Sequence, residues 1–256
     1  FLPVMLLGVF SYSTIWASPT SKYPTLEQIR KILDSQSEYS GQEGYIDFAD
    51  KYFHGNMGEA FRIVSQVLSD KEKLELNWGK MFQGTTSEFF FEKRRLLPDG
   101  NIAVKYQGSA GYVLYSKHVH GGEMGKAHKN ASAILNEKQW LELRWGKAYG
   151  GTVDQYKTER QRLFWDGRLR PEFQERSGYL LYSQIYYSGH LFKAFTHVSA
   201  VLSAGEMSDL NWGKVYSGTV EEYESERQRL LVDGQINEIY RGREGYIRYS
   251  DEFHRG

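Results

Sequence analysis

Three tryptophans at one interval constrain this chain more than anything else in it. Trp78, Trp145 and Trp212 stand 67 residues apart, each followed by Gly-Lys. The glycines of three Asp-Gly pairs, Gly100, Gly167 and Gly234, keep the same interval. So do the Gly-Tyr pairs that end at Tyr45, Tyr112, Tyr179 and Tyr246. A gapless tandem repeat means that structure and function are read per unit. The units divide as 18-69, a partial N-terminal repeat, then 70-136 and 137-203, and 204-256, a repeat cut short. Gly256 falls in register with Gly55, Gly122 and Gly189, which reads as a chain that continues past both ends.

Composition bears on partners. Lys plus Arg equal Asp plus Glu at 32 each, so there is no basic excess of the kind that nucleic acid demands. With no cysteine, disulfides, thiolate metal sites and a thiol nucleophile are ruled out. Residues 1-17 form an apolar run, Phe1 to Ala17, that reads as a secretory signal peptide with small Ala17 at the cleavage position. No later run is long and apolar enough to span a bilayer. The expectation is a secreted, endolysosomal or vesicular protein with no membrane segment in its mature form.

Local signals predict a mostly α fold with short β-strands, each unit holding two helices, a short strand and a short helix. Thr25 is placed to cap a helix over Leu26–Leu33. Thr152 caps a charged helix from Val153 to Phe164, and Asp166-Gly167 ends it with a left-handed glycine. Ala194 to Leu202 is apolar along one face and reads as a helix. The Gly-Tyr segments, such as Gly178-Tyr179-Leu180-Leu181-Tyr182, read as strands because β-favouring residues follow a glycine break. Trp78, Trp145 and Trp212 read as structural pins between helices, with Gly100, Gly167 and Gly234 as structural turns. Glu92, Glu159 and Glu226 lie three residues before Arg95, Arg162 and Arg229, a spacing for ion pairs on a solvated helix face.

Chemistry-bearing motifs are few. His118, His120 and His128 could supply three imidazoles to zinc, but the flanking repeats do not repeat the set, with Phe53 and Phe61 on one side and Tyr187 and Phe195 on the other. His190 and His197 share a helix face without an acidic third ligand. Asn130-Ala131-Ser132 fits the N-glycosylation pattern, making Asn130 the predicted glycan site. No phosphate-cradling loop, nucleophile elbow or metalloprotease motif occurs. The chain is not read as an enzyme, and neither a cofactor nor a metal is expected.

Trp145-Gly146-Lys147-Ala148-Tyr149, then Glu159-Arg160 with Phe164, then the segment Tyr179 to Tyr182 resemble the cathepsin propeptide inhibitor domain, the inhibitory propeptide of papain-like cysteine peptidases. The aromatic spacing of Phe53 and Phe61, repeated by Tyr187 and Phe195, resembles that family's turn and last helix. The chain departs from the family where Gly55, Gly122 and Gly189 replace an aspartate. The resemblance implies tandem units that inhibit papain-like peptidases in trans, each adding a strand to the enzyme by backbone hydrogen bonds. It implies partner contacts at Tyr45, Phe53, Gly55, Tyr112, His120, Gly122, Tyr179, Tyr187, Gly189 and Tyr246. The other reading is a non-enzymatic repeat protein that holds a partner or ligand in Tyr-rich grooves.

Overall fold

A computed structural model describes residues 22–255 apart from residue 36. The signal-peptide reading of residues 1-17 lies outside the described residues. The chain divides into two compact units, one ending at Glu92 and the other running from Lys93. The first holds α1 (Leu26–Ser35), α2 (Gly41–Phe53), α3 (Met57–Val67), α4 (Asp70–Leu76) and most of α5 (Thr86–Leu96). The second continues with α6 (Gly108–Val119), α7 (Met124–Ile134), α8 (Glu137–Leu143) and α9 (Val153–Leu163). A hairpin of β1 (Phe164–Trp165) and β2 (Arg168–Leu169) follows, then α10 (Glu175–Tyr187), α11 (Leu191–Val201), α12 (Ala204–Leu210) and α13 (Val220–Leu230). The hairpin recurs as β3 (Leu231–Val232) and β4 (Gln235–Ile236), and α14 (Gly242–His254) ends the described fold. The fold is mostly α with short strands, as the sequence predicts. Among the described residues no helix is long and apolar enough to cross a membrane.

The strands are not where the sequence reading puts them. Each Gly-Tyr segment lies inside a helix: α2, α6, α10 or α14. Over five residues an apolar run has no distinguishable period, and strand and helix compete equally. Over thirteen residues the period is helical, since Tyr45, Phe48, Ala49 and Phe53 of α2 are all buried. The glycine before each tyrosine serves packing. A Cβ on Gly44, Gly111, Gly178 or Gly245 would overlap the backbone of Tyr39, Tyr106, Phe173 or Tyr240, which forms a single 3₁₀ turn just upstream.

Asp166-Gly167 does not cap a helix either. Asp166 (φ 47°) and Gly167 (φ 74°) are the two central residues of a two-residue hairpin that pairs Trp165 with Arg168. Both positive φ values are those of a type I′ turn, whose twist suits paired strands. Asp233-Gly234 repeats it between β3 and β4. Pro98 stands in the register of Trp165 and lacks the N–H that pairing requires, so the chain makes an unpaired turn at Gly100.

The start signals hold. Thr152 with Gln155 and Thr219 with Glu222 form capping boxes on α9 and α13. Thr25 and Gln28 exchange the same bonds at the start of α1. The tryptophans, by contrast, are not on helices. Asn77, Arg144 and Asn211 end α4, α8 and α12 in left-handed conformations, and the indole follows in the loop.

From that loop each indole reaches back 39 residues. Trp78, Trp145 and Trp212 donate Nε1–H to the carbonyls of Tyr39, Tyr106 and Phe173 at 2.6, 2.6 and 2.7 Å. Each also stacks on its Gly-Tyr ring, Tyr45, Tyr112 or Tyr179, at 4.7, 4.7 and 4.6 Å. Those tyrosines in turn donate to the carbonyls of Met57, Met124 and Leu191 at the start of the next helix. One staple thus ties the 3₁₀ turn, the long helix, the following helix and the tryptophan loop into a module. The boundaries at 70, 137 and 204 separate each tryptophan from the tyrosine it stacks on, so the structural repeats are 39–78, 106–145 and 173–212, here the first, second and third.

Candidate functional site: the joint between successive repeats

The charged helix that looked solvated carries a buried carboxylate. Glu159 on α9 is 3% exposed. Its Oε1 accepts from Tyr182 Oη at 2.8 Å and Tyr187 Oη at 2.5 Å, both on α10 of the following repeat. Its Oε2 accepts from Arg162 Nη1 at 3.1 Å, the i,i+3 pair that the sequence predicts. Burial first, and the Glu159 charge second, push both phenols well above the usual tyrosine range, so both remain donors.

A second arginine binds α9 to the next repeat from another side. Arg160 donates to the Val201 carbonyl at 2.7 Å and spans both carboxylate oxygens of Glu206, at 3.3 and 2.8 Å. Glu206 also completes the capping box of α12, and the Arg160 hydrogen bond holds its carboxyl down at about 2. In the N-terminal unit, Arg30 on α1 reproduces both contacts, to the Val67 carbonyl at 3.3 Å and to Glu72 at 2.5 Å. Val67 and Glu72 are in repeat register with Val201 and Glu206, so α1 fills the place of a charged helix.

The joint recurs at Glu226 on α13 with altered donors. Tyr249 donates to Oε2, His254 Nε2 lies 3.3 Å from Oε1, and Arg229 lies 3.8 Å away. Register therefore places Phe53, His120, Tyr187 and His254 at one position. Phe53 packs on Tyr23 and Phe48 in the buried core of the N-terminal unit. Thr25 stands there in the register of the glutamate, and no donor is needed.

Most of the predicted contact residues are therefore framework. Tyr45, Tyr112 and Tyr179 are buried in the staples, Phe53 and His120 are buried, and Tyr187 is half-buried against Glu159. Gly55, Gly122 and Gly189 adopt φ of 77, 93 and 79°. Their carbonyls accept from Thr86, Val153 and Val220, tying the helix–helix turn to the start of the charged helix. Tyr246, at 72% exposed, is the one of the ten that presents its ring to solvent. Asn130, the predicted glycan site, is 2% exposed inside α7 and so covered in the folded unit.

No group of three His, Asp or Glu that could hold a metal occurs among the described residues. His118 is exposed, His120 packs on Tyr115, and His128 packs between Tyr112 and Trp140. At Glu159 the joint is saturated with protein donors and shielded from solvent. Its chemistry is that of a clamp. The signal that could have found it is the recurrence of Glu159 and Glu226 with a tyrosine 23 residues later, at Tyr182 and Tyr249.

The buried staples make stability alkali-sensitive. Burial pushes Tyr112 and Tyr179 up to about 12, and Tyr45 further still. A group whose folded pKa is raised contributes stability below its unfolded pKa, ~10 for tyrosine. That contribution is lost as pH rises from ~10 to ~12, at roughly 2–3 kcal/mol for each tyrosine. Chemical denaturation across this window should show midpoints falling steeply, with phenolate absorbance appearing together with the loss of helical ellipticity. Exposed rings such as Tyr246 titrate first with the helices intact, but titration of every tyrosine while the helices stay intact would refute the buried placement.

Compared with known proteins, the chain matches no family model, no curated protein and no solved structure.

Proposed function

We propose that the chain is a non-enzymatic repeat scaffold whose exposed, repeat-specific side chains bind a protein partner. One observation carries this reading: the recurring residues are consumed by staples and joints, whereas outward positions change chemistry from repeat to repeat. On α10, Leu181 and Ile185 lie one turn apart and exposed, and Phe192 is exposed at the start of α11. The same register holds Asp47, Lys51 and Gly58 in the first repeat, and Leu114, His118 and Gly125 in the second. Trp165 stands out at the hairpin with the Arg170 guanidinium 5.3 Å from its ring. Exposed apolar groups backed by an aromatic–arginine pair are the material of protein interfaces.

Inhibition of papain-like peptidases is the second proposal, carried by the resemblance. Strand addition at 179–182 would require α10 to unwind and Tyr179 to leave Trp212. An inhibitory unit would then have to dock through helices. One experiment separates the readings. The full chain and a Trp165→Ala/Leu181→Asp/Ile185→Asp variant are immobilised and exposed to a cell extract, and both are titrated against a papain-like peptidase. The scaffold reading expects a protein retained by the parent and lost by the variant, with peptidase activity unchanged. Equal retention by both forms overturns it, and peptidase slowed at micromolar chain favours inhibition.

A further inference from the structure

The three repeats contain the same groove between one helix (α3, α7 or α11), the short helix after it (α4, α8 or α12) and the tryptophan loop, and they fill it differently. In the second repeat the groove is plugged from within. The Trp140 ring of α8 lies 4.7 Å from His128 and 6.0 Å from Trp145, edge-on to both. In the third repeat the position of Trp140 is held by Met207, half-buried. In the first repeat it is held by Lys73, whose ammonium is drawn outward to Asp70 at 2.7 Å.

The groove of the first repeat is therefore open. It measures about 350 Å³ and is lined by Phe61, Val64, Leu74, Leu76 and Trp78. That is within the size of small-molecule sites, which are mostly apolar with a few polar groups at the rim. Its walls keep the geometry of the plugged copy. Phe61 meets Tyr45 at 6.3 Å and 66°, where His128 meets Tyr112 at 6.0 Å and 63°. Leu76 is only half-buried, whereas its counterparts Leu143 and Leu210 are fully buried. The first repeat has the aromatic walls but lacks the side chain that closes them.

We propose that this groove is a binding site for a small planar aromatic molecule of indole size, seated where Trp140 sits in the second repeat. The inference does not depend on the scaffold reading, because it rests on one repeat serving as a template for another. The ligand lies edge-on to Phe61 and Trp78, an arrangement favoured by the aromatic quadrupoles. The Lys73–Asp70 pair at the rim offers a donor and an acceptor to polar substituents.

The test is a titration of the intact protein with free indole, followed by the NMR signal of the Trp78 indole N–H. A saturable shift is expected, together with weakening by at least about tenfold in Lys73→Trp and Lys73→Met. Both substitutions copy a side chain that the same fold already accommodates at this position. Trp140→Ala should open a second site, reported by the Trp145 N–H. A Trp78 signal unmoved by millimolar indole overturns the proposal. So does a shift that persists unchanged in both Lys73 variants, since the groove would then not be the place of binding.

Discussion

Trp212→Ala is expected to lower the stability of the unit that runs from Lys93 by about 3–5 kcal/mol, the range for emptying a large aromatic from a packed core. The indole is nearly fully buried, stacked on Tyr179 at 4.6 Å and 20°, and tilted against Tyr182 at 5.6 Å. Its N–H is the partner of the Phe173 carbonyl. Trp212→Phe separates the two contributions. It keeps a ring on Tyr179 but leaves that carbonyl without its donor, at a cost of roughly 1–3 kcal/mol. Urea titration followed by circular dichroism measures both. The loss in Trp212→Ala should be shared by α10 and α13 in hydrogen exchange, because the staple binds the former and its loop leads into the latter. A loss below about 1 kcal/mol would mean that the indole is not the pin of its module.

How far the sequence exposes this fold depends on whether a residue's role is local. The caps at Thr25, Thr152 and Thr219 depend on a side chain and a backbone three residues apart, and they read directly. The period of the repeat and the mostly α content read equally well. The Gly-Tyr segments misled because their glycine answers a contact with the preceding 3₁₀ turn, which five residues of local propensity cannot reveal. Asp-Gly was legible as a turn but not as a hairpin, since two-residue strands leave no alternation to read. The carboxylate of Glu159 was hidden for a different reason. On a helix surrounded by Asp154, Lys157, Arg160 and Arg162, its charge looks like any other until α10 of the next repeat covers it. Contacts between repeats are long-range, and they carry the burial that decides which copy of a motif is framework and which is surface.

That hidden carboxylate sets the second large effect. Glu159→Leu is expected to cost about 3–5 kcal/mol, the penalty for removing one partner of a buried charged network. Tyr182 is fully buried and would keep a hydroxyl with no acceptor, and Arg162 would lose its counter-charge. Glu159→Gln keeps an acceptor oxygen and the shape of the site, so it should cost markedly less. The diagnostic is the combination with Tyr182→Phe and Tyr187→Phe. Once the hydroxyls are gone, Glu159→Leu should lose much of its penalty, because no phenol is then left unsatisfied. At the next joint, Glu226 has a half-exposed histidine where Glu159 has Tyr187. Water reaches that cluster, and Glu226→Leu should cost only about 1 kcal/mol by comparison. Urea midpoints ordered Glu159→Leu, Glu159→Gln, Glu226→Leu from lowest to highest would mark the second-to-third joint as the tighter link. Equal effects of the two leucine variants would instead place both glutamates in the same solvent-exposed role that the charge pattern of their helices suggests.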